Sequence, residues 1–153
     1  MIVHRVVAAR WKDDIWSGTG ALAHDGRWHT KGHRIVYTAE SLALATMENL
    51  VHLRRTRRMK RHYKSWAEIP DKMIETFPRT KLPPDWNNPE YPESTKQIGD
   101  AWLDAITGLA LRVPSATSPS EWDILINPAH RDFKKVRILG TEVLVLDPRL
   151  LKK

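Results

Sequence analysis

The pattern of apolar and polar positions changes period several times along the chain, and each change marks an element. Ile2 to Ala9 is β-branched and apolar and predicts a strand. Trp11 to Gly32 mixes Gly, Asp, His and Trp without period and predicts a long loop. Arg34 to Thr38 (RIVYT) predicts a second short strand. Glu40 to Leu53 (ESLALATMENLVHL) has neither Gly nor Pro, is rich in Leu and Ala, and predicts a helix. A short strand follows over Tyr63 to Ile69. Asp71 then looks like the cap of a short helix running to Phe77. Five prolines between Pro78 and Pro92 predict an irregular connection. Ser94 and Gln97 have the spacing of a capping box that opens a helix to about Thr107. After Gly108 the pattern gives strands over Leu109–Val113, Trp122–Ile126, Lys135–Leu139 and Glu142–Leu146.

Helices and strands are thus mixed without regular βαβ alternation. The expectation is an α+β fold, a single compact domain over residues 1–153 with mixed central sheets and flanking helices. The length suits one domain with a core of its own. The GxG in Ser17-Gly-Thr-Gly20 lacks the strand and helix of a dinucleotide fold, and no GxxxxGK[ST] phosphate loop is present.

Charge sharpens the picture. There are 25 Lys and Arg against 18 Asp and Glu, a formal net charge of +7. Leu53 to Lys64 (LRRTRRMKRHYK) contributes seven basic residues and no acidic one, so the rest of the chain is balanced. One basic segment, not a basic protein, is left to meet an anionic ligand, an acidic partner or nucleic acid. Cys is absent, which removes disulfides, thiolate catalysis and Cys-type metal sites. Neither a signal peptide nor a long apolar span is visible, so a cytoplasmic protein is expected. His29 and His33 are spaced i, i+4 around Gly32 in a loop, with no third ligand, and do not make a metal site.

A few residues are chemically out of place. On the Glu40–Leu53 helix, Leu44, Met47, Glu48 and Val51 share one face, which puts a carboxylate in an apolar stripe. That carboxylate is either at an edge reaching solvent, in an ion pair, or functional. Arg27 follows Gly26 in a loop, where its planar fork suits phosphate or carboxylate. Tyr37 interrupts a short apolar strand. Ser115 stands just past a strand end, without the G-x-S-x-G elbow of a hydrolase triad.

Ordered along the chain are Gly26-Arg27-Trp28, Ile35-Val36-Tyr37-Thr38-Ala39, Ala45-Thr46-Met47-Glu48, Gln97-Ile98-Gly99-Asp100-Ala101-Trp102-Leu103, Leu111-Arg112-Val113-Pro114-Ser115 and Leu125-Ile126-Asn127-Pro128-Ala129-His130. This ordered set resembles the RES-domain toxins, named for motif residues Arg, Glu and Ser. Two departures stand out: His29 and Asp123 lie where Asn is often seen. Neither is expected to touch the three naming residues.

The resemblance implies a fold similar to ADP-ribosyltransferase toxins and a toxin of a type II toxin–antitoxin pair. Its partner would be an Xre-like helix-turn-helix antitoxin, with DNA contacted only through that partner and a homodimer allowed within the complex. The activity implied is depletion of NAD+ by hydrolysis or phosphorolysis. Inorganic phosphate would serve as co-substrate in the second case, and no cofactor is implied beyond NAD+ as substrate. The site carried over is Arg27, Tyr37, Glu48 and Ser115, with Trp28 and Asn127 as neighbours. Glu48 would stabilise an oxocarbenium-like state, Arg27 hold the pyrophosphate or an attacking phosphate, Tyr37 wall the nicotinamide, and Ser115 bond nearby. Nicotinamide leaves as a neutral amine, so its departure calls for no metal. Two alternatives stay open: a mono-ADP-ribosyltransferase acting on a protein, and a basic nucleic-acid-binding or interaction module without catalysis.

Overall fold

The structure, a computed structural model, describes residues 1–53 and 61–151. Among these described residues, seven strands and two α-helices follow in the order β1 (Ile2–Ala8), β2 (Val36–Ala39), α1 (Leu42–Leu53), β3 (His62–Glu68), β4 (Ile74–Thr76), α2 (Glu93–Ala105), β5 (Ala110–Pro114), β6 (Trp122–Ile126) and β7 (Arg137–Val143). All seven strands join one sheet in the order β4-β5-β6-β2-β1-β3-β7. Every pair is antiparallel except β4 with β5, which is parallel. The mixed α+β architecture expected from the pattern is present.

The period of the strands divides the core in two. Val36, Ile124 and Ile126 join Val3, Val7, Trp16, Ala67 and Ile69 in one buried cluster. Their sequence neighbours Ile35 and Leu125 join Trp28, Trp102, Leu103, Leu111 and Val113 in another. Successive residues of a strand point to opposite faces, so β2 and β6 feed both clusters and both faces of the sheet are covered. On one face α2 contributes Trp102 and Leu103 to the second cluster. Helix α1 seats Leu44 and Ala45, with Ala39 at the end of β2, in a third and smaller cluster.

Three local readings change. The segment after Asp71 is a single 3₁₀ turn, Asp71–Met73, with no side-chain cap. Ile74 then turns extended, and Ile74–Thr76 pairs with Ala110–Arg112 as β4. Tertiary pairing with an apolar strand outweighs a weak local helix signal here. The Ser94–Gln97 box does not cap α2 either. Pro92 precedes the first helical residue, where its missing N–H costs nothing, and the Ser94 hydroxyl is drawn away to donate to Asp85 Oδ1 at 2.6 Å. Lys135–Leu139 and Glu142–Leu146 are not two strands. One strand, β7, runs through Gly140 along β3, with a register shift between Trp66 and Ala67 that absorbs an extra residue.

Most of the basic run, Arg54 to Lys60, lies outside the described residues. At its far end the Arg61 guanidinium lies over the Tyr63 ring, and Lys64 pairs with Glu142 at 3.0 Å. Among the described residues no helix is long and apolar enough to cross a membrane.

Candidate active site

Glu48 is delivered by α1. Ser41 opens that helix, its hydroxyl accepting the Leu44 N–H at 3.1 Å. Leu44 and Ala45 are buried, while Met47 and Val51 are 37% and 48% exposed. The inward face is therefore Leu44, Ala45, Glu48 and Asn49, not the Leu44–Met47–Glu48–Val51 stripe read from the sequence. The Asn49 amide donates to the Val6 carbonyl at 3.3 Å and ties this face to β1. Glu48 keeps its inward position, one turn beyond Leu44.

The β5–β6 hairpin brings two side chains to Glu48. Ser115 sits just past β5 and is fully buried. Its hydroxyl accepts the N–H groups of Thr117 and Ser118 at 3.1 and 3.0 Å, and lies 2.5 Å from Glu48 Oε1. With both lone pairs taken by amides, its proton points at Glu48, so Ser115 is a donor that orients the carboxylate. Asp123, paired in register with Val113 and Ala39, hydrogen-bonds Glu48 from the other strand of the hairpin. This corrects the expectation that Asp123 stands clear of the naming residues. Burial first, and then the nearby Glu48, push the Asp123 carboxyl well above the usual carboxylate range.

Tyr37 reaches the same place from β2. Its hydroxyl accepts the Trp28 N–H at 3.0 Å and lies 2.8 Å from His29 Nδ1. The other ring nitrogen of His29 lies 3.1 Å from the Ala21 carbonyl, which can only accept. The proton of a neutral His29 is therefore on Nε2, and Nδ1 accepts from Tyr37. Burial holds His29 below its ordinary pKa and pushes Tyr37 far above its own. The phenol is fully engaged, which makes Tyr37 a fixed wall and not an acid or base. Gly26 makes this packing possible: a Cβ there would come within 2.5 Å of the His29 ring and 2.7 Å of the Tyr37 hydroxyl.

Arg27, half-buried, donates to the Trp86 carbonyl at 2.7 Å and lies over the Tyr91 ring at 5.6 Å. The proline-rich connection thus positions the guanidinium. Burial lowers its pKa, against the pull of Tyr91, Glu48, Tyr37 and Asp123. A second guanidinium, Arg5 of β1, donates to the Tyr37 carbonyl at 2.8 Å while its Nε is buried without a partner. Burial brings Arg5 down to about 10.

Two cavities meet here. The larger, about 710 Å³, takes in Arg5, Arg10, His24 and His62. The smaller, about 120 Å³, takes in Arg27, Trp28 and Tyr91. Tyr37, Glu48 and Asp123 line both. The four carried-over residues Arg27, Tyr37, Glu48 and Ser115 are thus brought together. Trp28 contributes its backbone N–H and one cavity wall, but its ring is core, 6.4 Å from Phe77. Asn127 lies apart, buried, donating to the Leu103 carbonyl and accepting from the Ala129 N–H at 3.0 Å each.

Sequence reasoning missed Arg5, Tyr91 and the role of Asp123. A charge inside the apolar run Val3–Val7 was a readable signal for Arg5. Asp123 was visible only as a departure from a pattern. Nothing in the proline-rich stretch marked Tyr91.

Known proteins bear on this geometry. The RES domain family matches residues 2–147. A protein named Toxin Res from Yersinia enterocolitica is 35% identical over 151 residues, 98% of this chain and 99% of its own. A Prs ADP-ribosylating toxin from a Sphingobium strain is 34% identical over 149 residues, 95% of this chain and 92% of its own. The fold is also similar to a solved chain of the M. tuberculosis MbcT–MbcA toxin–antitoxin complex, with a TM-score of 0.75 at 16% identity, covering 98% of this chain and 86% of that one. The match to a family model over nearly its whole length, and full-length relatives above 30% identity, show that the chain belongs to the RES domain family.

Proposed function

We propose that this protein is the toxin of a toxin–antitoxin pair and that it cleaves the nicotinamide–ribose bond of NAD+. The observation that carries the reading is Glu48, held by the Ser115 hydroxyl at 2.5 Å on the wall shared by two cavities, one lined by Arg5 and Arg10 and the other by Arg27. The larger cavity has the size of a cofactor site. Arg5, with an unpaired Nε facing a buried setting, would take the pyrophosphate. Tyr37 would wall the nicotinamide. As the C1′–N bond breaks, its electron pair neutralises the pyridinium and positive charge develops on the ribose. Glu48 would stabilise that charge. An acceptor oxygen then bonds C1′ and releases its proton.

The smaller chamber has room for water or inorganic phosphate beside Arg27, which supports hydrolysis or phosphorolysis. Full-length relatives named as toxins, and a fold shared with a chain from a toxin–antitoxin complex, support an antitoxin partner, here taken to be of the helix-turn-helix Xre type. Transfer of ADP-ribose to a protein is the second reading, favoured by the Sphingobium relative.

The test is nicotinamide release by the purified protein. E48Q keeps the acceptor for Ser115 but loses the charge, and its turnover should fall on the order of 10²–10³-fold with the fold intact. A folded E48Q with full activity overturns the assignment. Mass spectrometry of products separates ADP-ribose, ADP-ribose-1″-phosphate and a modified protein.

A further inference from the structure

Asp123 has no part in the mechanism above, yet it lines both cavities and hydrogen-bonds Glu48. Two carboxyls in contact cannot both be ionised at low cost, so the pair holds a proton. The neighbours decide which member carries it. Ser115 has only its proton to offer and aims it at Glu48, so within the pair Glu48 is the acceptor and Asp123 the donor. The charged and titratable groups around Asp123 include Glu48 from α1, Glu40 between β2 and α1, Tyr37 from β2, Arg27 from the loop before it and, across the smaller cavity, Tyr91 from the proline-rich connection. Glu40 is spoken for by Arg112 at 2.9 Å and the Trp122 N–H at 3.2 Å. Arg27 alone among them favours an ionised Asp123.

We infer that Asp123 is a positioning residue for Glu48, holding the one proton of the carboxyl pair and donating it to Glu48, so that turnover requires a neutral Asp123. This rests on the reading of Glu48 as the catalytic carboxylate. Loss of that proton leaves two facing anions and turns Glu48 from its place beside the ribose. Turnover then falls on the alkaline side.

Two variants separate the possibilities. Asn in D123N donates a hydrogen bond at every pH; Ala in D123A donates none. The expected result is a wild-type kcat that falls at alkaline pH, a D123N profile without that fall, and a D123N kcat about 10-fold or more above that of D123A near neutrality, with KM little changed. D123N as slow as D123A would mean that an ionisable carboxyl is itself required, and overturns the inference. So does an alkaline fall that is the same in wild type and D123N, or one absent from the wild type.

A melting experiment reads the same proton without NAD+. The unfolded chain ionises Asp123 near the ordinary value of about 4, while burial beside Glu48 raises it well above that range in the folded chain. The folded state then binds more protons than the unfolded one, so wild-type stability declines as pH rises above that value. D123N carries no such cost. Its Tm advantage should grow from about pH 4 upward and level off once the folded Asp123 ionises. Parallel melting profiles overturn the inference. A protein that shows the melting difference but releases no nicotinamide fails the functional reading alone.

Discussion

At the scale of single residues the site is built by removing choices. The Ser115 hydroxyl has two acceptor positions and one proton, and the structure uses all three. That disfavours Ser115 as a nucleophile, since both lone pairs that could attack already accept backbone N–H groups. S115A should therefore cost in two currencies. Two half-buried N–H groups lose their acceptor, which destabilises the protein by about 1 kcal/mol. Glu48 loses its donor and its fixed rotamer, which lowers kcat on the order of 10-fold while KM changes less. Thermal melting and steady-state kinetics on one preparation check both. An S115A that melts lower but turns over at the wild-type rate would leave Ser115 a purely structural residue. Tyr37 obeys the same logic, since His29 and the Trp28 N–H saturate its hydroxyl.

At the scale of elements, α2 holds the loop that carries Arg27, Trp28 and His29. Asp100 accepts from the Thr30 N–H at 2.9 Å and from its hydroxyl at 2.7 Å. One residue earlier, Gly99 lies so close to Trp28 that a Cβ would stand 1.8 Å from the Trp28 carbonyl oxygen. No rotamer relieves a clash between a Cβ and a backbone oxygen, so helix and loop must move apart. G99A should cost about 3 kcal/mol or more, at the upper end for overpacked sites, and should reduce activity as Arg27 shifts. Chemical denaturation and nicotinamide release check it; a neutral G99A would show that α2 does not position the loop. Such close approaches are also where sequence reasoning runs short. Helix α1 was legible because a long unbroken apolar segment has few other ways to be buried. Strand β4 was not, because a three-residue strand is decided by its partner β5 and not by its own residues. The four candidate residues Arg27, Tyr37, Glu48 and Ser115 were legible as an ordered motif set. Asp123 acquires meaning only when the β5–β6 hairpin brings it beside Glu48, a contact between residues 75 positions apart.

At the scale of the whole molecule, the charge and the cavities can be read together. Outside Leu53–Lys64 the chain is electrically balanced, so the far field is set by that segment. Asn49, four residues before it on α1, and His62, at the start of β3, both line the larger cavity. Along the chain, most of the basic segment thus lies between two residues that line the proposed NAD+ site. A dinucleotide with a net negative charge, two phosphate charges against one pyridinium, is drawn in by a field that salt screens over about 10 Å at 0.1 M. Replacing Arg54, Arg55, Arg57 and Arg58 by Ser or Gln should lower kcat/KM for NAD+ by about 10-fold at low ionic strength while kcat is unchanged, because steering acts on encounter and not on bond cleavage. The gap between variant and wild type should close as salt is raised, and a plot of kcat/KM against ionic strength shows whether it does. A gap that persists at high salt would mean that these arginines make direct contacts with the dinucleotide. If kcat/KM is unchanged at every salt concentration, the charge serves a protein surface instead, and loss of affinity for an acidic antitoxin in the same variant would identify it.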